Sequence, residues 1–195
     1  MNRVITIGRE FGSGGRTIAN KTGELLGIPV FDHEILLKIA EESGFSASYI
    51  EERAENTTLS HLISRSLSGL GGYSTTSAED YMWQYQGKVI CDLAEKESCI
   101  IVGRCSDYIL KGKADLLNVF IYADKESRAH RIINVYGEVP DKDAYSRLKE
   151  KDKRRSNFYN YHTDLKWGDP HNYNICLDAG ALGIDECAEV IASLY

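Results

Sequence analysis

Short apolar runs alternate along the chain with segments whose apolar residues recur at helical spacing. The runs at residues 4–7, 99–102 and 117–122 predict buried strands, since parallel strands are apolar on both faces. Shorter strands are predicted at residues 29–31 and 173–177. Helices are predicted at residues 17–26, 35–43, 78–97, 125–136, 140–160 and 184–194.

Turn and cap residues support this division of the chain. Gly27 and Gly44 follow predicted helices, as glycines at helix C-termini do, and Pro140 stands where a helix would begin. Ser48 and Glu51 have the spacing of a capping box for one further helix. Strands that alternate with helices in this way predict an α/β sandwich built on a parallel sheet. A length of 195 residues fits one domain of this class.

Composition and charge narrow the function classes. The chain has 43% hydrophobic and 27% charged residues, which is typical of a soluble globular protein, and its net charge of -6 disfavours a general nucleic-acid binder. The apolar runs are far shorter than the ~20 residues of a membrane-spanning helix, and the first residues lack a signal-peptide pattern. Five cysteines without a CxxC pair indicate free thiols in a reducing compartment. We therefore expect a cytoplasmic protein that binds neither nucleic acid nor membrane, while its oligomeric state is left open.

The most specific local pattern is the glycine-rich segment at residues 10–17, between the first predicted strand and the first predicted helix. Small residues there allow backbone N–H groups to turn onto an anion, and the helix N-terminus favours negative charge. Arg16 stands where the usual phosphate-binding pattern has lysine, and Glu10 stands where it has the first glycine. The residues predicted to bind donor phosphates are Gly12, Ser13, Gly14, Gly15, Arg16 and Thr17. The alternative is a glycine-rich turn without a ligand, braced by a pair between Arg16 and Glu10.

Other charged residues follow predicted strands. Asp32 ends the second strand and Arg104 follows the third, while the glycine-rich segment follows the first. Because ligands of parallel sheets bind beyond the carboxyl ends of the strands, these residues are expected to share one crevice. We expect Arg104 to bind a ligand phosphate. Ten of the 23 lysines and arginines lie at residues 128–166, which fits either a solvated helix face or a face that closes over phosphates.

Five segments carry a resemblance to a known family: residues 5–16, 99–105, 152–155, 159–163 and 167–173. On these segments the chain resembles the cytidylate kinase-like family of P-loop nucleoside monophosphate kinases over nearly its whole length. The resemblance implies the P-loop NTPase sandwich, with a five-stranded parallel sheet in the order 2-3-1-4-5. It further implies a core at residues 1–32, 89–133 and 168–195, a helical acceptor-binding insert at residues 33–88 and a mobile lid at residues 134–167.

The resemblance also implies roles for single residues. Arg104 matches the family's contact to the acceptor phosphate, and Asp32 matches the aspartate that opens the acceptor-binding segment. Lys38 stands where true cytidylate kinases have an arginine, and a lysine cannot provide a bidentate grip on phosphate. Arg131 matches the arginine at the entry of the lid, and Arg155 matches the lid arginine that follows an aspartate by three residues.

The activity that the resemblance implies is transfer of a phosphoryl group from ATP, with Mg²⁺, to a nucleoside monophosphate such as CMP or dCMP. In such a transfer the protein mainly positions the reacting phosphates and neutralises their charge. Arg16 would hold the β- and γ-phosphates, Thr17 would hold Mg²⁺, and Asp32 would bind Mg²⁺ through water or orient the acceptor. Arg131 and Arg155 would close onto the transferring phosphoryl group. In relatives the donor base lies near the positions of residues 178–180.

Two other functions remain compatible with the sequence. One is a kinase with a small-molecule hydroxyl acceptor, for which Asp32 could serve as the base. The other is a nucleotide-binding regulatory protein with little turnover, which the departures at Glu10, Arg16 and Lys38 favour. The aromatic residues of the lid region favour packing over stacking on a nucleotide base. They are Phe158, Tyr159, Tyr161, Trp167 and Tyr173.

Overall fold

A five-stranded parallel sheet organises the protein. The computed structural model describes residues 2–32, 34–44, 78–137 and 143–195. The strands are β1 (Arg3–Arg9), β2 (Val30–Phe31), β3 (Cys99–Val102), β4 (Asp115–Tyr122) and β5 (Ile175–Asp178). Their order is β2-β3-β1-β4-β5 and every neighbouring pair is parallel, which confirms the predicted sheet.

Helices connect the strands. The described helices are α1 (Gly15–Leu26), α2 (Glu34–Ser43), α3 (Ala78–Lys96), α4 (Ser106–Ile109), α5 (Lys125–Asn134), α6 (Ala144–Thr163) and α7 (Ile184–Leu194). All but α4 lie where apolar spacing predicts them, and Gly27 ends α1 in a left-handed conformation, as expected. The sequence did not predict α4, because four residues are too few to show a helical period. No described helix has both the length and the apolar character to cross a membrane.

A few boundaries differ from the predictions. β5 begins at Ile175 rather than at residue 173, because Pro170–Asn172 form a 3₁₀ turn that ends at Tyr173. The N–H of Tyr173 donates to the Pro170 carbonyl oxygen at 3.2 Å. The boundary expected between insert and core at residues 88 and 89 falls inside α3. The capping box at residues 48–51 and the proposed helix start at residue 140 lie outside the described residues.

The core has one apolar cluster on each face of the sheet. Along β1, Val4 points to one face and Ile5 and Ile7 point to the other, and all three are fully buried. The Val4 face packs against α2 and α3, for example through Ile90, and the opposite face packs against α1 and α7, for example through Ile18. A central strand buried on both faces needs this unbroken apolar run.

The strand register brings three chain segments to one edge of the sheet. Ile7 is paired with Val102, and Phe31 is paired with Ile101, so β1, β2 and β3 end close together. The segments that leave these three ends are the glycine-rich turn, the segment at Asp32 and the segment at Arg104. The fold therefore gathers the predicted site residues at the carboxyl edge, where parallel sheets bind ligands.

Candidate active site

The glycine-rich segment forms a tight turn between β1 and α1. Gly12 and Gly14 have φ angles of 78° and 89°, a region that residues with a side chain rarely adopt. α1 begins directly after Gly14. The buried Ser13 closes the turn, since its hydroxyl donates to the Glu10 carbonyl oxygen at 2.9 Å. The turn therefore presents the unpaired N–H groups at the start of α1 to the carboxyl edge of the sheet, where they stabilise an anion.

A cavity of 580 Å³, which we call the loop cavity, lies over this turn. Five cationic side chains line it: Arg9, Arg16, Arg147, Lys151 and Arg155. Thr17 and Glu10 also contribute to its wall. Nε of Arg147 is buried and has no hydrogen-bond partner among the described residues. So much positive charge beside helix N–H groups fits a polyphosphate.

Arg128 is a buried cation beneath the turn, with 4% of its surface exposed. Its Nε donates to the Phe11 carbonyl oxygen at 2.8 Å, and its Nη1 pairs with Glu10 Oε2 at 2.9 Å. Its Nη2 donates to Asp152 of α6, whose other carboxylate oxygen accepts from the Phe11 N–H at 2.7 Å. One arginine thus joins the turn, α5 and α6, the helix of the expected lid. Nothing in the sequence singles out Arg128, because the contact joins positions 117 residues apart.

The partners of Glu10 explain how a carboxylate can occupy a loop position that usually holds glycine. Glu10 pairs with Arg128 and accepts from the Ala123 N–H at 3.2 Å. Burial raises the pKa of the Glu10 carboxyl, and the charge of Arg128 opposes this shift. Arg16 pairs with Asp32 instead, so the brace between Arg16 and Glu10 that the sequence left open is not formed.

Asp32 lies between two arginines at the end of β2. Nε of Arg16 donates to its Oδ2 at 2.6 Å, and Nη2 of Arg9 lies 3.6 Å from its Oδ1. Two cations already engage this carboxylate, which suits it to orienting their side chains. Lys38, expected nearby on the acceptor side, has an exposed side chain on α2 and lines neither the loop cavity nor the cavity at Arg104.

Arg155 and Arg131 both contact the turn, but from different sides. Nη1 of Arg155 donates to the Arg9 carbonyl oxygen at 3.1 Å, and its guanidinium lies 5.5 Å from the centre of the Phe11 ring. Nη1 of Arg131 donates to the Gly12 carbonyl oxygen at 2.9 Å. Arg155 lines the loop cavity, whereas Arg131 lines a separate cavity of 430 Å³. The two arginines predicted to act together therefore line different cavities.

Arg104 lies in a strained turn after β3. Gly103, Arg104 and Cys105 have φ angles of 75°, 59° and 54°, so three consecutive residues are left-handed. For residues with a Cβ, this left-handed conformation is about 1–2 kcal/mol less favourable than the right-handed one. The turn is held by Gln86, whose Nε2 donates to the Arg104 carbonyl oxygen at 3.0 Å. Strain of this kind persists where the surrounding structure imposes it, and it often accompanies a binding site.

A smaller cavity of 60 Å³ opens beside Arg104, and we call it the Arg104 cavity. Arg9 and Arg155 line it too, so it adjoins the loop cavity. Asp107 also lines it and accepts from the Tyr159 hydroxyl at 2.6 Å. Burial raises the pKa of the Asp107 carboxyl above its usual range, and burial beside Asp107 raises the pKa of Tyr159 as well. No local pattern singles out Asp107, because its partner Tyr159 is 52 residues away in the chain.

The profile of the cytidylate kinase-like family matches residues 4–181 of this sequence. The chain belongs to the cytidylate kinase-like family. No curated protein is detectably similar to it. A solved structure of an uncharacterized protein from Eubacterium ventriosum ATCC 27560 is 29% identical and superposes with a TM-score of 0.74, covering 99% of this chain and 98% of that one.

Two solved kinases share the fold of this cytidylate kinase-like protein at lower identity. Shikimate kinase from Acinetobacter baumannii, in complex with shikimate, is 15% identical with a TM-score of 0.54 and covers 100% of this chain and 92% of its own. A gluconokinase from Sinorhizobium meliloti 1021 is 16% identical with a TM-score of 0.53 and covers 98% and 92%. Family and fold together support a small-molecule kinase, which is a phosphotransferase of the P-loop type.

Aromatic side chains tie α6 of this cytidylate kinase-like protein to its neighbours. His162 stacks on Trp83 of α3, with ring centres 4.1 Å apart, and Phe158 contacts both rings. Trp167 and Tyr173 pack against Phe120 of β4 in a second group. The Trp167 and Tyr173 rings each contact the Phe120 ring. Four of the five aromatic residues also line the Arg104 cavity, so packing within the protein and stacking on a bound base both stay predictions: Phe158, Tyr159, Trp167 and Tyr173.

His162 should make stability depend on pH. Burial lowers its pKa from 6.5 to about 4, although the charge of Asp80 acts in the opposite direction. Between these values the unfolded chain binds more protons than the folded protein, so the free energy of unfolding increases with pH. His162→Gln should therefore flatten the loss of stability as pH falls from 6.5 to 4, measured by urea denaturation. The exposed His130, changed to Gln, should leave the slope unaltered. Equal slopes in wild type and His162→Gln would contradict the prediction.

Proposed function

We propose that this protein transfers the γ-phosphoryl group of ATP, or of a similar triphosphate, to a nucleoside monophosphate, with CMP and dCMP as the first candidates. The observation that carries the proposal is the pair of adjoining cavities at the carboxyl edge of the sheet, which share Arg9 and Arg155 in their walls. Two anion sites that share cationic side chains suit a transfer between two phosphates, where the protein contributes positioning and charge.

The donor phosphates would bind in the loop cavity, on the N–H groups of the turn. The buried Nε of Arg147, which has no partner within the part of the chain that the structure describes, is a further donor at this cavity, and a buried donor of this kind needs a partner. We assign the donor base to the cavity of 430 Å³, whose wall includes Arg131, Ala179 and Gly180. Arg131 would then act beside the donor, through its hydrogen bond to the Gly12 carbonyl oxygen of the turn.

Mg²⁺ would enter with the triphosphate. Mg²⁺ takes oxygen ligands and keeps several waters, so one or two protein oxygens suffice. Thr17 has an exposed side chain in the wall of the loop cavity. The Asp32 carboxylate pairs with Arg16 at the same carboxyl edge of the sheet. These oxygens fit the ion, with Thr17 as a direct ligand and Asp32 acting through water. Bound there, the ion would neutralise phosphate charge.

The acceptor phosphate would bind at Arg104. A phosphate monoester is already ionised at neutral pH, so the acceptor needs a cation more than it needs a base. The left-handed turn after β3 holds Arg104 at the Arg104 cavity, and Arg155 reaches the same space from α6. We propose that Arg155 neutralises the phosphoryl group in transfer from this position, as an arginine finger does.

A second candidate function is phosphorylation of a small-molecule hydroxyl, and Asp107 is the observation that favours it. A hydroxyl acceptor needs a general base. Asp107 is a half-buried carboxylate in the Arg104 cavity whose pKa burial raises, which suits a proton acceptor. Asp32 fits that role less well, because Arg9 and Arg16 hold it.

A coupled assay of ADP release separates these functions. The acceptors are the nucleoside monophosphates in one panel and shikimate, gluconate and other small alcohols in the other, each with ATP and Mg²⁺. Turnover with a monophosphate, unaffected by Asp107→Asn, supports the proposed function. Turnover with an alcohol, lost in Asp107→Asn, supports the second candidate. Tight ATP binding by calorimetry without turnover in either panel would contradict both and indicate a nucleotide-binding regulator.

Replacing Arg104 with glycine should separate activity from stability. We expect kcat/KM for the monophosphate to fall at least 10-fold, since a charge-assisted contact contributes about 1.5–3 kcal/mol. The melting temperature should not fall, because glycine adopts the left-handed conformation without strain. Asp164→Gly is the matched control: Asp164 also has a positive φ, of 54°, and ends α6. That variant should keep full turnover. An equal loss of ATP affinity in Arg104→Gly would move Arg104 to the donor side.

A further inference from the structure

The side chain of Arg9 occupies the space directly above the first residue of α1. Arg9 is the last residue of β1, and α1 begins at Gly15. A Cβ added to Gly15 would lie 2.6 Å from Cβ and 2.9 Å from Cγ of Arg9, closer than non-bonded carbons approach. Cβ and Cγ belong to the rigid base of the side chain, so Arg9 leaves no room there for any residue other than glycine.

The guanidinium end of Arg9 meets a second glycine. A Cβ added to Gly103, in the turn before Arg104, would overlap Nη1 of Arg9. Nη2 of the same guanidinium lies 3.6 Å from Asp32 Oδ1. The side chain of Arg9 is 17% exposed, against 68% for Arg16. Arg9 therefore runs from the turn to the segment after β3 in a space that two glycines leave open.

This path places a cation at the junction of the two cavities. Arg9 lines the loop cavity and the Arg104 cavity, whereas Arg16 lines only the first of these. Arg155 donates to the Arg9 carbonyl oxygen and lines both cavities as well. A group that moves from a triphosphate in one cavity to an acceptor in the other passes between these arginines.

We propose that Arg9 is a second cation that contacts the phosphoryl group in transfer, beside Arg155 and in place of the loop lysine of other phosphate-binding loops, and that Asp32 and Arg16 position it. This inference rests on the proposed function. In the transfer the bond between the γ-phosphorus and the β,γ-bridging oxygen breaks, and a bond to an acceptor oxygen forms. Arg9 stays protonated throughout and neutralises charge on the moving group and on the bridging oxygen.

The test measures the part of the affinity that comes from the γ-phosphate. Calorimetry gives the Kd of ATP and of ADP, each with Mg²⁺, for wild type and Arg9→Met. We expect ATP affinity to fall at least 10-fold, ADP affinity to change less than 3-fold, and kcat to fall at least 100-fold. Arg3→Met is the matched control, because Arg3 begins the same strand at the opposite edge of the sheet. Arg16→Met should have a smaller effect on kcat than Arg9→Met.

Two further variants guard against a folding defect. Gly15→Ala keeps the charge of Arg9 and displaces its side chain, so it should reproduce the loss of ATP affinity. Arg9→Lys should recover part of the kcat, since it restores the charge without the forked geometry. Thermal unfolding checks that each variant is folded. If Arg9→Met does not fold, unchanged ATP affinity in Gly15→Ala overturns the inference.

The remaining outcomes separate the inference from the proposed function. Full ATP affinity and kcat in Arg9→Met, or an equal loss of ATP and ADP affinity, overturns the inference and leaves the function standing. A further outcome is that the wild type phosphorylates no monophosphate while Arg9→Met loses the preference for ATP over ADP. That result overturns the proposed function and supports the role of Arg9. If wild type binds no nucleotide, inorganic tripolyphosphate is titrated instead: binding that Arg9→Met abolishes supports the phosphate role, and any other result overturns it.

Discussion

Arg155→Ala should lower kcat about 1,000-fold, the lower end of the effect of an arginine finger. Arg155 reaches both cavities from α6, and its guanidinium is held over the Phe11 ring with Nη1 on the Arg9 carbonyl oxygen. The measurement is steady-state kinetics with saturating ATP and acceptor. ATP affinity should change far less than kcat, because the contact strengthens as charge develops on the phosphoryl group.

The neighbouring residue provides the control for Arg155. Arg154 pairs with Glu150 on the surface of α6, an i,i+4 pair that contributes about 0.3–0.5 kcal/mol. Arg154→Ala should therefore keep nearly full kcat. Arg155→Lys should retain more activity than Arg155→Ala, since the charge remains. A loss of ATP affinity as large as the loss of kcat in Arg155→Ala would show that Arg155 acts in donor binding.

Arg128→Met should lower the free energy of unfolding by about 3 kcal/mol, the lower end for a broken buried pair, because it removes a buried cation from two half-buried carboxylates. Glu10 and Asp152 both pair with Arg128, and the Phe11 carbonyl oxygen loses its donor. Urea denaturation followed by circular dichroism measures the change. Arg154→Met, which removes an exposed cation from α6, should change stability by less than about 1 kcal/mol.

The cause of this loss can be tested with a triple variant. Glu10→Gln, Arg128→Met and Asp152→Asn together remove all three charges, so the variant should recover part of the stability that Arg128→Met loses. A triple variant no more stable than Arg128→Met would show that packing and hydrogen bonds, rather than unpaired charge, account for the effect. Loss of phosphate binding in a folded Arg128→Met would also follow, since the network holds the turn.

Local patterns were enough to locate the glycine-rich turn and Arg104. Both follow directly on an apolar strand, and a strand predicts where its own end lies. Arg9 carries the same signal, as a charged residue at the end of β1, yet its role was not predicted. Its importance depends on Gly15 and Gly103, and the second of these belongs to a different strand connection. Sequence spacing does not show that one side chain passes over both.

The roles predicted for the lid residues depended on contacts that no local pattern contains. Arg131 and Arg155 were expected to act on one phosphoryl group, and they line different cavities. Their directions follow from how α5 and α6 dock on the turn, and that docking depends on Arg128 and Asp152. Two basic residues in one charged stretch look equivalent until the helices are packed.

The sequence by itself determined the α/β class, most helix and strand positions, the tight turn and the family. These depend on periodicity, on glycine and on residues close together in the chain, whose effects on local conformation are direct. Only the tertiary structure decided which charges pair. Glu10 pairs with Arg128 rather than Arg16, and Asp32 is held by Arg9 and Arg16, because strand register and helix docking bring these residues to distances of 2.6 to 3.6 Å. Electrostatic interactions act over such short distances that a charged residue acquires its role only once its neighbours are in place.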